Sequence, residues 1–267
     1  MKKMRLGIVG CGRLNRIVAR AVADGLLPEY ELVGCYSRTY ASAETLAAEA
    51  AEAAERGLAC KPCQTIEELL ALQPDIVAEA ATPAGMRAVA VKCLENGCSI
   101  VCLSIGAFAD DAFYAEVRET AAKHGTKVYM ASGATGGFDV LRTAALMGGA
   151  TAQFFNEKGP NGLKGTPVYD ESLQREQRVV FHGTATEAIA QFPTRVNVTV
   201  AASRASVGPE RMEVTMQSSP YFRGDTQRVE IRNPQVRAVV DVYSATPEIA
   251  AWSVVATLQN IVSPIVF

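Results

Sequence analysis

The sequence is poor in several features that would fix its function class early. It holds two histidines, His124 and His182, and each stands alone. A tetrahedral zinc site needs four ligands, so the "CKPC" of residues 60–63 lacks the second half of one. No cysteine follows Cys102. The seven that precede it are Cys11, Cys35, Cys60, Cys63, Cys93, Cys98 and Cys102. An odd count crowded into one half argues against a secreted disulfide framework and for a reducing compartment, the cytoplasm. No apolar run approaches the ~20 residues that span a bilayer, and the basic start "MKKMRLGIVG" reads as a first strand rather than a signal peptide. A net charge of −2 gives no global pull toward nucleic acid or an anionic membrane. There is no internal repeat.

What the chain does have is alternation. Up to about residue 130, apolar runs at 4–9, 31–36, 75–80, 99–103 and 126–130 alternate with helical patterns at 14–25, 41–56, 84–96 and 110–123. This order predicts an α/β Rossmann fold, a doubly wound parallel sheet with right-handed crossovers, over residues 1–130. After residue 150 the texture changes. "QRVVFHG", "RMEVTMQ", "QRVEIRN" and "VRAVVDVY" are β-branched and partly alternating, which suits antiparallel strands with one open face. Helices are expected at 184–192, 195–206 and, after Pro247, at 248–261. Residues 131–244 therefore read as a second, α+β domain with a mixed or antiparallel sheet, serving substrate binding and dimerisation. Residues 245–267 form a last helix with the option of returning to the first domain.

The glycines give the first chemistry. In "IVGCGRLNRIVARA" (8–21), Gly10 permits a tight turn and Gly12 lets a pyrophosphate approach the backbone at a helix N-terminus. Arg13 and Leu14 then open the helix, and Asn15 stands where a third glycine is usual, with the packing alone expected to change. The second strand ends at Ser37 and Arg38 with no acidic residue to bind a ribose 2′-hydroxyl. A hydroxyl and a guanidinium suit a 2′-phosphate, favouring NADP, with NAD still open. Ala81 and Thr82 follow the run 75–80, and Ser104 and Gly106 follow the run 99–103. Both pairs fall at the sheet edge where cofactors bind. Ser132, Gly133 and Ala134 lie in "SGATGGFD", a turn into a helix whose free N–H groups favour a substrate carboxylate.

Several segments together resemble the L-aspartate dehydrogenase family. They are "GCG", "VAEAATP" (77–83), "SIGAF" (104–108), "SGATGGFD" (132–139), "FHGTATEAIAQFPTRVNVTVAAS" (181–203) and "ATPEIAAWSVVATLQN" (245–260). The resemblance implies a Rossmann domain joined to an α+β substrate domain, a homodimer, and NAD(P)-linked interconversion of L-aspartate with iminoaspartate or oxaloacetate and ammonia. It places Lys158 in the family's basic "RKP" segment and Asn197 on the asparagine of its "FP-x-N-x-N-V" stretch. The family's catalytic histidine sits in an Asn-x-His-Glu-Ile strand. Here that stretch reads "RGDTQRVEIRN" (223–233), with Asp225 for the asparagine and Gln227 for the histidine.

Glutamine does not take a proton near neutral pH, so general acid–base work needs another group. The candidates are Lys158, His182, Asp225 and Asp139, with Gln227 marking the family's catalytic position. His124, just before Gly125, reads as a helix C-terminal residue. The expected activity is hydride transfer between a nicotinamide and the α-carbon of an amino, imino or keto acid held between the domains, aspartate or a relative of it. The alternative is a non-catalytic NADP-binding sensor or partner subunit.

Overall fold

The computed structural model describes residues 2–53, 59–192 and 196–267. The chain forms two compact units, residues 1–131 with 250–267, and residues 132–249.

In the first unit the elements are β1 (Met4–Val9), α1 (Arg13–Ala23), β2 (Tyr30–Tyr36), α2 (Tyr40–Ala53), β3 (Lys61–Cys63), α3 (Ile66–Ala71), β4 (Ile76–Glu79), α4 (Pro83–Glu95), β5 (Ser99–Cys102), α5 (Asp111–His124) and β6 (Val128–Met130). The six strands are parallel in the order β3-β2-β1-β4-β5-β6, the doubly wound order expected from the alternation. The order reverses between β1 and β4, and a ligand crevice opens at the carboxyl ends of strands at such a point. Helix ends follow local chemistry. Thr82 caps α4, Asp110 caps α5, and His124 closes α5 ahead of the left-handed Gly125.

Two elements of the first unit were not anticipated. "CKPC" contributes an edge strand, β3, and Thr65 caps the short α3 behind it. Three strand residues and a six-residue helix are too short to show a hydrophobic period. All seven cysteines are buried, free thiols. The last residues of the helix expected at 41–56 lie outside the described residues.

The second unit contains α6 (Phe138–Leu146), β7 (Thr151–Lys158), β8 (Arg178–Thr184), α7 (Ala185–Gln191), α8 (Asn197–Arg204), β9 (Met212–Ser218), β10 (Asp225–Arg232) and β11 (Arg237–Ser244). Its sheet runs β11-β10-β7-β9-β8. The sheet was expected to be mixed or antiparallel, and it is mixed: β7, a strand not anticipated from the sequence, pairs with β9 in parallel, and the other neighbours are antiparallel. The reason is the path between β7 and β9: β8, α7 and α8 carry the chain back before β9 begins, and a crossover of that kind delivers a parallel neighbour. Residue 195, the expected start of the α8 helix, lies outside the described residues.

The chain then enters α9 (Glu248–Val262). Val254, Val255 and Leu258 of α9 join Leu6, Ile8, Val18 and Tyr30 in one buried cluster of the first unit. The Tyr30 hydroxyl donates to the Leu258 carbonyl at 2.7 Å.

Candidate active site

The crevice of the first unit is made largely of backbone. Gly10 has φ +87°, and a Cβ there would lie 2.8 Å from the backbone and Cβ of Ala81. Only glycine meets both constraints. Gly12 differs: a Cβ there would meet nothing within 4 Å. Packing does not demand a glycine at 12, so its lack of a side chain leaves open the space in front of α1. Gly12 is also the N-cap of α1 and provides no side-chain cap. The N–H groups at the helix head are thus left for an anion. A dinucleotide's pyrophosphate fits that cradle. Arg13 is exposed and Leu14 is half-buried against the core.

Asn15 does more than alter packing. It is fully buried, and its Nδ2 lies within donating distance of the carbonyls of Val9 (2.9 Å), Gly10 (2.8 Å) and Ala78 (3.3 Å). The side chain pins the head of α1 to the ends of β1 and β4. Sequence spacing alone could not show which carbonyls would face it.

Ser37 and Arg38 directly follow β2. Arg38 is exposed, and its guanidinium has no ion-pair or hydrogen-bond partner among the described residues. Ala81 and Thr82 are exposed, and the Thr82 hydroxyl accepts from Gly85 N–H at 3.0 Å as the cap of α4. Ser104 and Gly106 are buried, with Gly106 inside a 3-10 turn, Ile105–Ala109. Sequence reading passed over Glu79, the last residue of β4. Its carboxyl is fully buried, accepts from Ala81 N–H and Ser104 N–H, and is pushed above the ordinary carboxylate range by burial.

In the second unit, cross-strand register assembles a polar cluster. Asp225 opens β10 directly opposite Lys158 at the end of β7, and Gln227 lies opposite Asn156. Side chains of residues paired in this way share a face of the sheet. Asn156 Nδ2 donates to Asp225 Oδ1 at 2.6 Å, Gln227 Nε2 donates to Asp225 Oδ2 at 2.8 Å, and Lys158 Nζ stands 3.8 Å from that oxygen. Both amide residues are buried, whereas the Asp225 side chain keeps 36% of its exposure and the Lys158 side chain 15%. A carboxylate reachable from solvent is therefore held on two sides by fixed donors, beside a mostly buried cation. Ser218 and Ser244 extend the same row on β9 and β11.

His182 is not part of this cluster. It pairs with Thr215, which pairs with Phe155, so it lies on the opposite face of the sheet from Asn156. There its Nδ1 is 3.1 Å from Thr215 Oγ1 and its Nε2 is 3.3 Å from a Glu213 carboxylate oxygen. Asp139 lies exposed in the first turn of α6. Ser132, Gly133 and Ala134 form the turn before that helix, where Thr135 N–H donates to Ser132 O at 3.3 Å, and α6 begins at a left-handed Gly137 with no side-chain cap. Asn197 is the first residue of α8 and is half-buried. Asn156 was missed because nothing local distinguishes it from other polar residues on an alternating strand.

Comparison with known proteins agrees with both units. The family model described as homoserine dehydrogenase, NAD binding domain, matches residues 10–131, and that of aspartate dehydrogenase, C-terminal, matches residues 139–261. The chain is 31% identical to the L-aspartate dehydrogenase of Methanosarcina mazei and 30% identical to that of Methanocella arvoryzae, each alignment covering 98% of both chains. Among solved structures, it shares its fold with aspartate dehydrogenase from Thermotoga maritima, with a TM-score of 0.76 at 22% identity over 99% of both chains. A more distant likeness is the amine dehydrogenase of Mycobacterium smegmatis, with a TM-score of 0.59 at 15% identity over 97% of this chain and 92% of that one. With a Rossmann sheet, a mixed-sheet second unit and relatives matched end to end, the chain belongs to the L-aspartate dehydrogenase family and is an NAD(P)-dependent oxidoreductase acting on an amino-acid donor.

Proposed function

We propose that the protein oxidises an acidic amino acid of the L-aspartate class, or reduces the corresponding imino acid, with NADP preferred over NAD. In this reading the first unit holds the dinucleotide and the second supplies the substrate groups. The carrying observation is Asp225, clamped by two buried amides beside Lys158. Lys158 pairs with a substrate carboxylate, and the turn of Ser132, Gly133 and Ala134 with Asn197 completes the carboxylate sites. Asp225 accepts a proton from the α-ammonium: an N–H bond breaks, an O–H bond forms, and the freed lone pair becomes the C=N bond. The cofactor, when bound, accepts the hydride leaving the α-carbon. Gln227 positions Asp225 rather than titrating, and His182 plays no part. The 2′-phosphate preference follows from Ser37 and the exposed Arg38 at the end of β2.

A homodimer is proposed through the second unit. Helices α6, α7 and α8 pack against its sheet, while Gln153, Glu213, Val239 and Tyr243 point outward from the strands. Seven free thiols suit a reducing cytoplasm.

Initial rates with L-aspartate, L-glutamate and L-alanine, each with NADP and NAD, test the reading. L-Aspartate with NADP should give the highest kcat/KM. Tight NADP binding without turnover of any amino acid would instead favour a sensor or partner subunit, and light scattering decides the dimer.

A further inference from the structure

We propose that Glu79 is a positioning residue that fixes the loops after β4 and β5 against the glycine turn, and through them the place of the nicotinamide half of the cofactor. The inference rests on the dinucleotide reading of the crevice. In that reading the adenosine ribose lies at the end of β2 and the pyrophosphate at the turn after β1. The rest of the cofactor then extends across the switch point toward β4 and β5.

Glu79 ends β4, paired with Val9 of β1 on one side and Cys102 of β5 on the other. Its two oxygens serve different loops. Oε1 accepts from Ala81 N–H at 2.8 Å, in the loop after β4. Oε2 accepts from Ser104 N–H at 3.1 Å and from the Cys102 thiol at 3.4 Å, at the end of β5. Ala81 in turn occupies the space that a side chain on Gly10 would need. A displacement of Ala81 by a few tenths of an ångström would therefore reach the glycine turn directly. Asn15 closes the same block from the helix side through Val9, Gly10 and Ala78.

A buried carboxyl is costly unless its hydrogen bonds repay the burial. Among the described residues no cation pairs with Glu79; its partners are two backbone amides, the Ser104 hydroxyl and the Cys102 thiol. An apolar side chain would fill the position at lower cost but would leave both amides unpaired. The residue is thus explained by what it holds. Two acceptor oxygens on one short, buried stem set the spacing between the loops after β4 and β5. Burial raises the Glu79 carboxyl, and the Cys102 thiol is raised well above its ordinary value by the same burial and the neighbouring carboxyl.

Glu79→Gln is the direct test. The carboxamide keeps the shape but turns a donor toward one of the two backbone N–H groups, which releases that loop. NADPH affinity, read by nucleotide fluorescence, should fall about tenfold, as expected for loss of a charge-assisted hydrogen bond. Adenosine 2′,5′-bisphosphate carries only the adenosine end and should bind within about twofold of the native protein. Equal losses for both ligands, or none for either, would overturn the proposal. If Glu79→Gln does not fold, amide exchange in the native protein decides. Ala81 and Ser104 N–H should exchange as slowly as the amides within β4 and β5, and exchange at the rate of exposed loops would overturn the assignment.

Discussion

The two units build their polar sites by opposite means. In the first, the working surface is main chain: Gly12 leaves space, the head of α1 leaves N–H groups, and the buried side chains Asn15 and Glu79 hold the frame behind them. In the second, the working surface is side chain: Asp225, Lys158, Asn156 and Gln227 meet only because β7 and β10 pair in one register. A backbone site tolerates change at its exposed residues so long as the turn survives. A register site changes its chemistry when one strand residue changes, because each member is positioned by its neighbour across the ladder. Asp225 and Gln227 illustrate this, standing where the resemblance implies asparagine and histidine.

Substitutions can break this contrast. The largest effect is expected at Gly12. Gly12→Val should abolish cofactor binding and leave the circular dichroism and Tm near native, since the added side chain enters open space rather than protein. Loss of fold together with binding would mean that the turn is a packing feature after all. Gly10→Ala should do the reverse, losing stability first, because its Cβ collides with Ala81 in a left-handed backbone.

Next in size is Asp225→Asn. A positioned general base is worth about 10² to 10⁴ in rate, so kcat for L-aspartate should fall by that order while NADPH affinity stays unchanged. A variant that turns over at the native rate would remove Asp225 from the chemistry and return attention to Lys158. Arg38→Ala should weaken NADP by about tenfold through loss of a charge-assisted contact while NAD binding holds steady. Equal effects on the two cofactors would assign Arg38 to an ordinary turn.

Asn15→Ala sharpens the same contrast at smaller scale. Three carbonyls lose their shared donor, and a buried unsatisfied group costs about 1–3 kcal/mol. Denaturant unfolding should register that loss, with cofactor affinity reduced only secondarily. The smallest effect is expected at His182→Ala. Its ring contacts Thr215 and Glu213 on the far face of the sheet from Asp225, so turnover should stay within about twofold of native, as for exposed surface pairs.

The same difference explains how much the sequence disclosed. The strand–turn–helix of residues 4–23 was legible because its signals are local: an apolar run, two glycines at fixed spacing, then helical periodicity. The parallel order followed from alternation of element types. β3 and α3 escaped because neither is long enough to carry a period. Glu79 escaped because a carboxylate at the end of an apolar strand reads as the strand's exit into solvent, whereas here its oxygens turn back onto the next two loops. The Asp225 cluster depends on β7 and β10, whose paired residues Asn156 and Gln227 are far apart in sequence. Only the ladder brings them together, and its parallel partner β9 was beyond what alternation could specify.

The placement of α9 has a consequence for how the protein is made. Residues 132–249 form a unit whose two ends both lead into the other one, so the second unit is an insertion within the first. During synthesis the six strands of the parallel sheet emerge early, but the cluster containing Leu6, Ile8 and Tyr30 lacks Val254, Val255 and Leu258 until the inserted unit has already left the ribosome. Until then the Leu258 carbonyl that accepts from the Tyr30 hydroxyl in the finished fold has not been made available. The part of the chain that is translated first is therefore the part whose core is finished last.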